Sequence, residues 1–186
     1  MSLRNKLMLM RTFIIVAALV ALTPAEAARS TTLARESRSG RAVVRNSWRG
    51  ITPLRSSAAD VARVLGDGVE SGEGQVSGPF KVEGGEVTFS YLTAGLAKLY
   101  RAPRSMIGKV FTIYFKPNDA MTRDELKLAA SFKRCTEARN KSYYYLVNDI
   151  GVAYQFRSDN DSVETIIYQP SRDETRRLAV MSECIF

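Results

Sequence analysis

Hydrophobic and polar positions change period several times along this chain, and the changes mark its elements. Leu54, Ala58, Val61 and Leu65 recur at steps of four, three and four, which puts them on one stripe of an α-helix. Pro53 closes the extended run ahead of it, because the residue before a proline is pushed out of the helical region. Ser57 with Asp60 three residues on reads as a capping box, and Gly66 can take the left-handed conformation that ends the helix. The glycine- and acid-rich run that follows reads as a loop. The period then falls to two. Phe80 and Val82 alternate with Lys81 and Glu83, and Val87, Phe89 and Tyr91 with Thr88 and Ser90, predicting a β-hairpin around Gly84-Gly85. Residues 93–108 make a long excursion, and residues 110–115 are a third strand, ended by Pro117.

The order then repeats. Thr122 with Glu125 is a second capping box, with Met121 placed to staple onto Leu126 and a helix running through Ala129 and Ala130 towards Phe132. Residues 143–147 read as a strand and 148–151 as a turn. Val152, Tyr154 and Phe156 are the inward set of the next strand, and 163–168 form the last, stopped by Pro170. V-F-T-I-Y-F-K-P at 110–117 lines up with V-E-T-I-I-Y-Q-P at 163–170, sharing Val, Thr, Ile and Pro. The pattern therefore predicts an α+β fold of two helix–strand–strand–strand units, 48–117 and 118–170. They would share one antiparallel sheet with both helices packed on one face. Residues 171–186 form a C-terminal segment, with a terminal helix expected within 171–179.

Composition changes this picture at the N-terminus. Arg4, Lys6 and Arg11 precede the apolar run of residues 12–22, which is too short to span a bilayer comfortably. Pro24 breaks it, and Ala25-Glu26-Ala27 offers small residues where a signal peptidase reads them, so residues 1–27 are expected to be a cleaved secretory signal. No cysteine lies near that point, so lipid attachment there is not expected. The full chain of 186 residues carries +8, and removing three cations and one acid with residues 1–27 leaves +6. Residues 28–47 hold Arg29, Arg35, Arg38, Arg41 and Arg45 against the single acid Glu36. With so few apolar groups they are expected to be a disordered basic linker, able to touch an anionic surface weakly. Nucleic acid is not an expected partner of an exported chain that lacks interleaved aromatics in this segment. One domain, 48–186, remains, and a periplasmic or secreted location is expected.

The chemistry points to binding. With no histidine in the chain, the Ser-His-Asp and Cys-His arrangements and histidine-bearing zinc sites are excluded. Two cysteines cannot make a cysteine-rich metal site, and no phosphate-cradling glycine loop is present. No cofactor or metal is expected. Asp159, Asp161 and Glu164 alternate like part of a calcium loop but lack its glycine and its closing glutamate, so a hairpin loop is the plainer reading. In an oxidising compartment Cys135 and Cys184 are expected to form one disulfide, two separate buried thiols being the alternative. The interaction candidates are Leu99, Tyr100, Arg101 and Arg104 in the long excursion, with Tyr144 from the Tyr143–Val147 strand. The sheet face opposite the helices would extend that surface.

W-R-G-I-x-P-L-R-S-x-x-x-D-V-x-x-x-L-G at 48–66, the later Pro103-Arg104 and the closing aromatic-x-Pro strand resemble a set of exported, uncharacterised bacterial proteins. The helix motif and hairpin are similar to those of the small outer-membrane assembly lipoproteins. The doubled unit resembles the architecture of the β-lactamase inhibitor protein. The resemblance implies a fold used for binding rather than catalysis. The expectation is an exported non-enzymatic envelope protein that binds an envelope or secreted protein. The alternative is a hydrolase of envelope or extracellular polymers that uses carboxylates alone, which would need two acids facing each other across a cleft.

Overall fold

The computed structural model describes residues 45–66, 76–136 and 141–179. The expected leader at 1–27, most of the expected basic linker at 28–47, the expected loop at 67–75 and Cys184 lie outside the described residues. Within them, Trp48 begins the hydrophobic core. Its N–H and C=O both pair with Ile51 (2.9 and 2.8 Å), and Arg49 and Gly50 between them have φ of 47° and 86°. That pair of left-handed residues is the turn whose twist suits a tight hairpin. The Trp48 ring meets Phe89 edge-on at 5.8 Å, and the Arg49 guanidinium lies over the ring, 5.1 Å from its centroid. Two residues ahead of Trp48, the Asn46 side chain already donates to the Gln169 carbonyl at 2.8 Å.

Helix α1 spans Ala58–Leu65, with the predicted box complete: the Ser57 hydroxyl accepts from Asp60 N–H, and the Asp60 carboxylate accepts from Ser57 N–H at 2.7 Å. Leu54 is not part of it. The cap at Ser57 fixes the start, and Leu54 sits in a turn at φ 59°, donating its N–H to the Val110 carbonyl. Strands β1 (Val76–Val82), β2 (Gly85–Tyr91) and β3 (Val110–Pro117) follow. The hairpin turn falls on Glu83-Gly84, one residue earlier than predicted, because Gly85 serves another purpose. A Cβ there would lie 2.2 Å from the Lys116 carbonyl oxygen, so only glycine lets β2 and β3 close up. The excursion contains helix α2 (Ala94–Leu99) and a 3₁₀ turn at Arg104–Met106.

The second half adds a strand that periodicity could not reveal. Helix α3 is one turn, Arg123–Leu126, and stops where Lys127 turns left-handed at φ 44°. The predicted run to Phe132 fails because the chain must extend to pair β4 (Lys133–Cys135) with β5 (Tyr143–Val147). Strands β6 (Val152–Arg157) and β7 (Val163–Tyr168) complete the sheet, and α4 (Arg172–Arg177) follows with its own Ser171–Glu174 box. The strands form one antiparallel sheet in the order β1-β2-β3-β7-β6-β5-β4. At its centre Ile113 pairs Tyr168, Tyr114 pairs Ile167 and Phe115 pairs Ile166. In the sequence alignment Ile113 matches Ile166 and Phe115 matches Tyr168. Among the described residues β4 has no counterpart in the first half, so the α+β sheet is as predicted but the division into two repeated units is not confirmed.

Three hydrophobic clusters fix the layers. Trp48, Ile51, Val61, Val87, Phe89 and Ile113 form the first, under α1. Tyr144, Leu146, Val152, Phe156, Val163 and Ile166 form the second, with Leu126 of α3 against it. Phe115 and Tyr168 touch both, so α1 and α3 share one face of the sheet, as predicted. The third cluster gathers Leu54, Leu92, Ala97, Phe111 and Leu178, where α2 and the end of α4 pack together. The bulge between Ser90 and Tyr91 gives β3 an extra residue, and Phe111 belongs to this cluster rather than to that of its neighbour Val110.

Candidate functional site

Residues 93–108 form a closed loop whose ends are tied by backbone. Gly108 N–H donates to the Leu92 carbonyl and Leu92 N–H to the Lys109 carbonyl, both at 2.8 Å. The Thr93 hydroxyl accepts from Leu96 N–H at 3.2 Å and starts α2. Ala102 N–H returns to the Ala97 carbonyl at 2.8 Å, which holds the chain as it reverses through Arg101 at φ 54°. A non-glycine residue in that region carries a backbone cost, so the surrounding bonds determine the reversal.

The loop has two sides. Leu96, Ala97, Tyr100, Ala102 and Met106 face inward onto the third cluster. Outward stand Lys98, Leu99, Arg101, Arg104 and Ile107, with Leu99 68% exposed and Ile107 42%. The segment contains no acid, and none of its cations forms an ion pair among the described residues. The outer side is therefore cationic and apolar together, on a backbone that is already ordered.

The predicted interaction residues separate accordingly. Leu99, Arg101 and Arg104 share the outer side. Tyr100 does not, since its ring stacks on Phe111 at 5.4 Å with 17° between planes and anchors the loop to the sheet. Tyr144 is 2% exposed and belongs to the second cluster. It stacks on Phe156 at 5.0 Å, its hydroxyl donates to Asp161, and the Arg134 guanidinium sits 4.2 Å from its ring centroid. Burial first, and the Asp161 carboxylate after it, push its hydroxyl up to about 12. Ile107 was missed, and it carries no sequence signal because its exposure depends on the turn at Gly108.

The sheet face away from α1 and α3 is not open as expected. Tyr145, Ala153 and Ile167 on it are 5%, 0% and 2% exposed. Strand alternation places Tyr145 on the opposite face from Tyr144.

Among the described residues the acids with printed partners are engaged singly rather than in a facing pair. Asp159 binds Arg157 at 3.0 Å, Asp161 accepts from Tyr144, and Glu164 meets Lys116 at 3.4 Å across β3 and β7. Asp60, Glu125 and Glu174 are occupied as helix caps. Among the described residues the carboxyls that shift are lowered: Asp60 and Glu125 by the backbone N–H groups they cap, Asp159 by Arg157. A general acid would need the opposite displacement. No group of three or more metal-ligating side chains occurs among the described residues. A shallow cleft of about 310 Å³ lies beside α3, between Arg123, Lys127, Phe132 and Leu146. No described helix is long and apolar enough to cross a membrane.

No family model, no curated protein and no solved structure matches the chain.

Proposed function

We propose that this is an exported, non-enzymatic envelope protein that binds an acidic face of another protein through the outer side of the 93–108 loop. One observation carries the reading: three cations and two exposed aliphatic side chains lie together on a braced loop that supplies no acid to neutralise them. Arginine beside apolar anchors is the composition of binding hot spots, and an uncompensated charge favours a partner of opposite sign. The resemblance of the 48–66 motif and hairpin to the assembly lipoproteins, and of the expected doubled unit to the β-lactamase inhibitor protein architecture, would imply the same class of action. Export by a cleaved leader and a Cys135–Cys184 disulfide belong to this reading. Cys135 is not a free thiol, which supports the second point.

The test is cross-linked affinity purification from envelope fractions, followed by reconstitution with the purified partner. Wild type should bind a partner with an acidic surface, and affinity should fall as salt rises. The double variant Arg101→Glu/Arg104→Glu should lose binding while keeping its melting temperature. Retained binding by that variant, or turnover of a polymer substrate by wild type, would end the proposal. Export is checked separately, because the secreted material should begin at Ala28.

A further inference from the structure

The third cluster gathers more than the 93–108 loop. Leu54, Ala97 of α2 and Leu178 meet in it from three separate stretches of chain. Next in sequence to each of these buried anchors stands an exposed cation: Arg55 beside Leu54, Lys98 beside Ala97, and Arg177 beside Leu178. Consecutive Cα atoms are only ~3.8 Å apart, so packing the anchors together also gathers their cations around one cluster.

Backbone bonds hold the first of these cations against the loop. Leu54 N–H donates to the Val110 carbonyl at 2.7 Å, and Val110 N–H donates to the Ser56 carbonyl at 2.8 Å. Arg55 is thereby clasped beside the residues that close the loop. Its guanidinium also approaches α4, 3.9 Å from the Glu174 carboxylate, while the side chain stays 77% exposed. An ion pair that open is screened and leaves the arginine free to meet a second carboxylate. Glu174 is already engaged as the partner of Ser171 in the cap of α4. Along α4, Arg172 pairs with Asp149 and Arg176 with Asp173. Arg177 has no acid paired to it among the described residues.

We infer that the docking face is composite: Arg55 and Arg177 complete the set of cations begun by Lys98, Arg101 and Arg104, and an acidic protein surface meets all three segments at once. This rests on the binding reading of the 93–108 loop and enlarges the area that makes contact. The partner it fits carries carboxylates spread over a folded face, because the cations come from segments that the cluster holds apart. Charge of opposite sign across such a face sets orientation as well as attraction.

Fluorescence anisotropy of labelled poly-L-glutamate with the full chain tests the face without the natural partner. Wild type should bind, and more weakly as salt rises. Arg55→Gln/Arg177→Gln should weaken binding several-fold at an unchanged melting temperature, and Arg101→Gln/Arg104→Gln by a similar factor. The four changes together should approach the product of the two losses. Lys81→Gln/Lys133→Gln removes the same charge from exposed positions on the two edge strands of the sheet and should bind like wild type. Wild-type affinity in the Arg55/Arg177 variant, beside a weakened loop variant, would overturn the composite face and leave the loop reading standing. Equal losses in all three pairs would mean attraction to net charge alone and would overturn it too. No loss in either arginine pair would remove the loop reading as well.

Discussion

The two halves of the sheet begin alike and finish differently. Ser57–Asp60 and Thr122–Glu125 are the same capping box, and both helices lie on the same face. Yet α1 has eight residues and buries Val61 completely, whereas α3 has four and buries none. A box fixes where a helix starts, and the surface available to its apolar stripe decides how far it runs. Under α1 lie Trp48, Phe89 and Val87, and the stripe Ala58-Val61-Leu65 has a continuous floor. Beyond Leu126 the chain is claimed by β4, whose Lys133 must pair Val147, so Leu128 and Phe132 pack on this half from the irregular segment ahead of β4 instead.

The largest effect should therefore separate the halves. Phe89→Ala removes a fully buried ring from beneath Trp48 and should cost about 3–5 kcal/mol. Leu126→Ala on the half-buried α3 should cost about 1 kcal/mol, the ordinary size for a substitution outside a filled core. Urea denaturation of both variants checks the contrast. Equal losses would mean that α3 roofs its half as fully as α1 does.

A second contrast lies in the turns. Gly50 and Gly151 both have positive φ, 86° and 91°. A methyl on Gly50 meets nothing within 4 Å, whereas one on Gly151 would sit 2.2 Å from the Gln169 carbonyl oxygen. Gly50→Ala should cost about 1 kcal/mol from backbone strain alone. Gly151→Ala adds a clash with backbone that pairs β6 to β7, and should lose about 1–3 kcal/mol more. Thermal melts of the two variants would show it, and a shared shift would make Gln169 mobile enough to give way.

Strand periodicity was the most legible feature of the sequence. Residues 143–147 and 163–168 are strands to the residue, because each is a run rich in β-branched and aromatic side chains that ends at a turn or just ahead of a proline, even though adjacent residues on both faces are buried. What failed was decided at longer range. Leu54 fits the helical stripe perfectly in spacing, but a backbone bond to Val110 holds it elsewhere. β4 has three residues, too few for any period, and exists because β5 offers an edge. At the candidate surface, composition identified Leu99, Arg101 and Arg104. The inward turn of Tyr100 depends on Phe111, which a bulge in β3 places in the third cluster.

The caps measure the shared beginning directly. Ser57→Ala should cost about 1 kcal/mol, typical of a lost N-cap on a helix that is packed. Thr122→Ala caps a single exposed turn and should fall near 0.5 kcal/mol, the low end of that range. Denaturant midpoints compare them, and a Thr122→Ala loss as large as that of Ser57→Ala would show the short helix to be held by its cap.

The smallest effect is a pH dependence, and its sign follows from the caps. The Ser57 backbone N–H, then its hydroxyl, holds Asp60 down to about 2 from the ordinary 3.8, with Arg63 adding to the effect. Glu125 is lowered in the same way by Thr122. A carboxyl whose folded pKa is depressed contributes stability that is fully present above its unfolded value and lost as pH falls through the folded one. The Asp60 contribution should thus be intact above pH 3.8 and disappear towards pH 2. Asp60→Asn removes that titration, so its stability should fall less steeply than wild type between those limits, and Glu125→Gln should show the same flattening. Acid titration of urea midpoints reads the slopes. If Asp60→Asn follows the wild-type curve, the first box is held by its neutral hydrogen bonds alone, and the two helix starts differ in kind as well as in length.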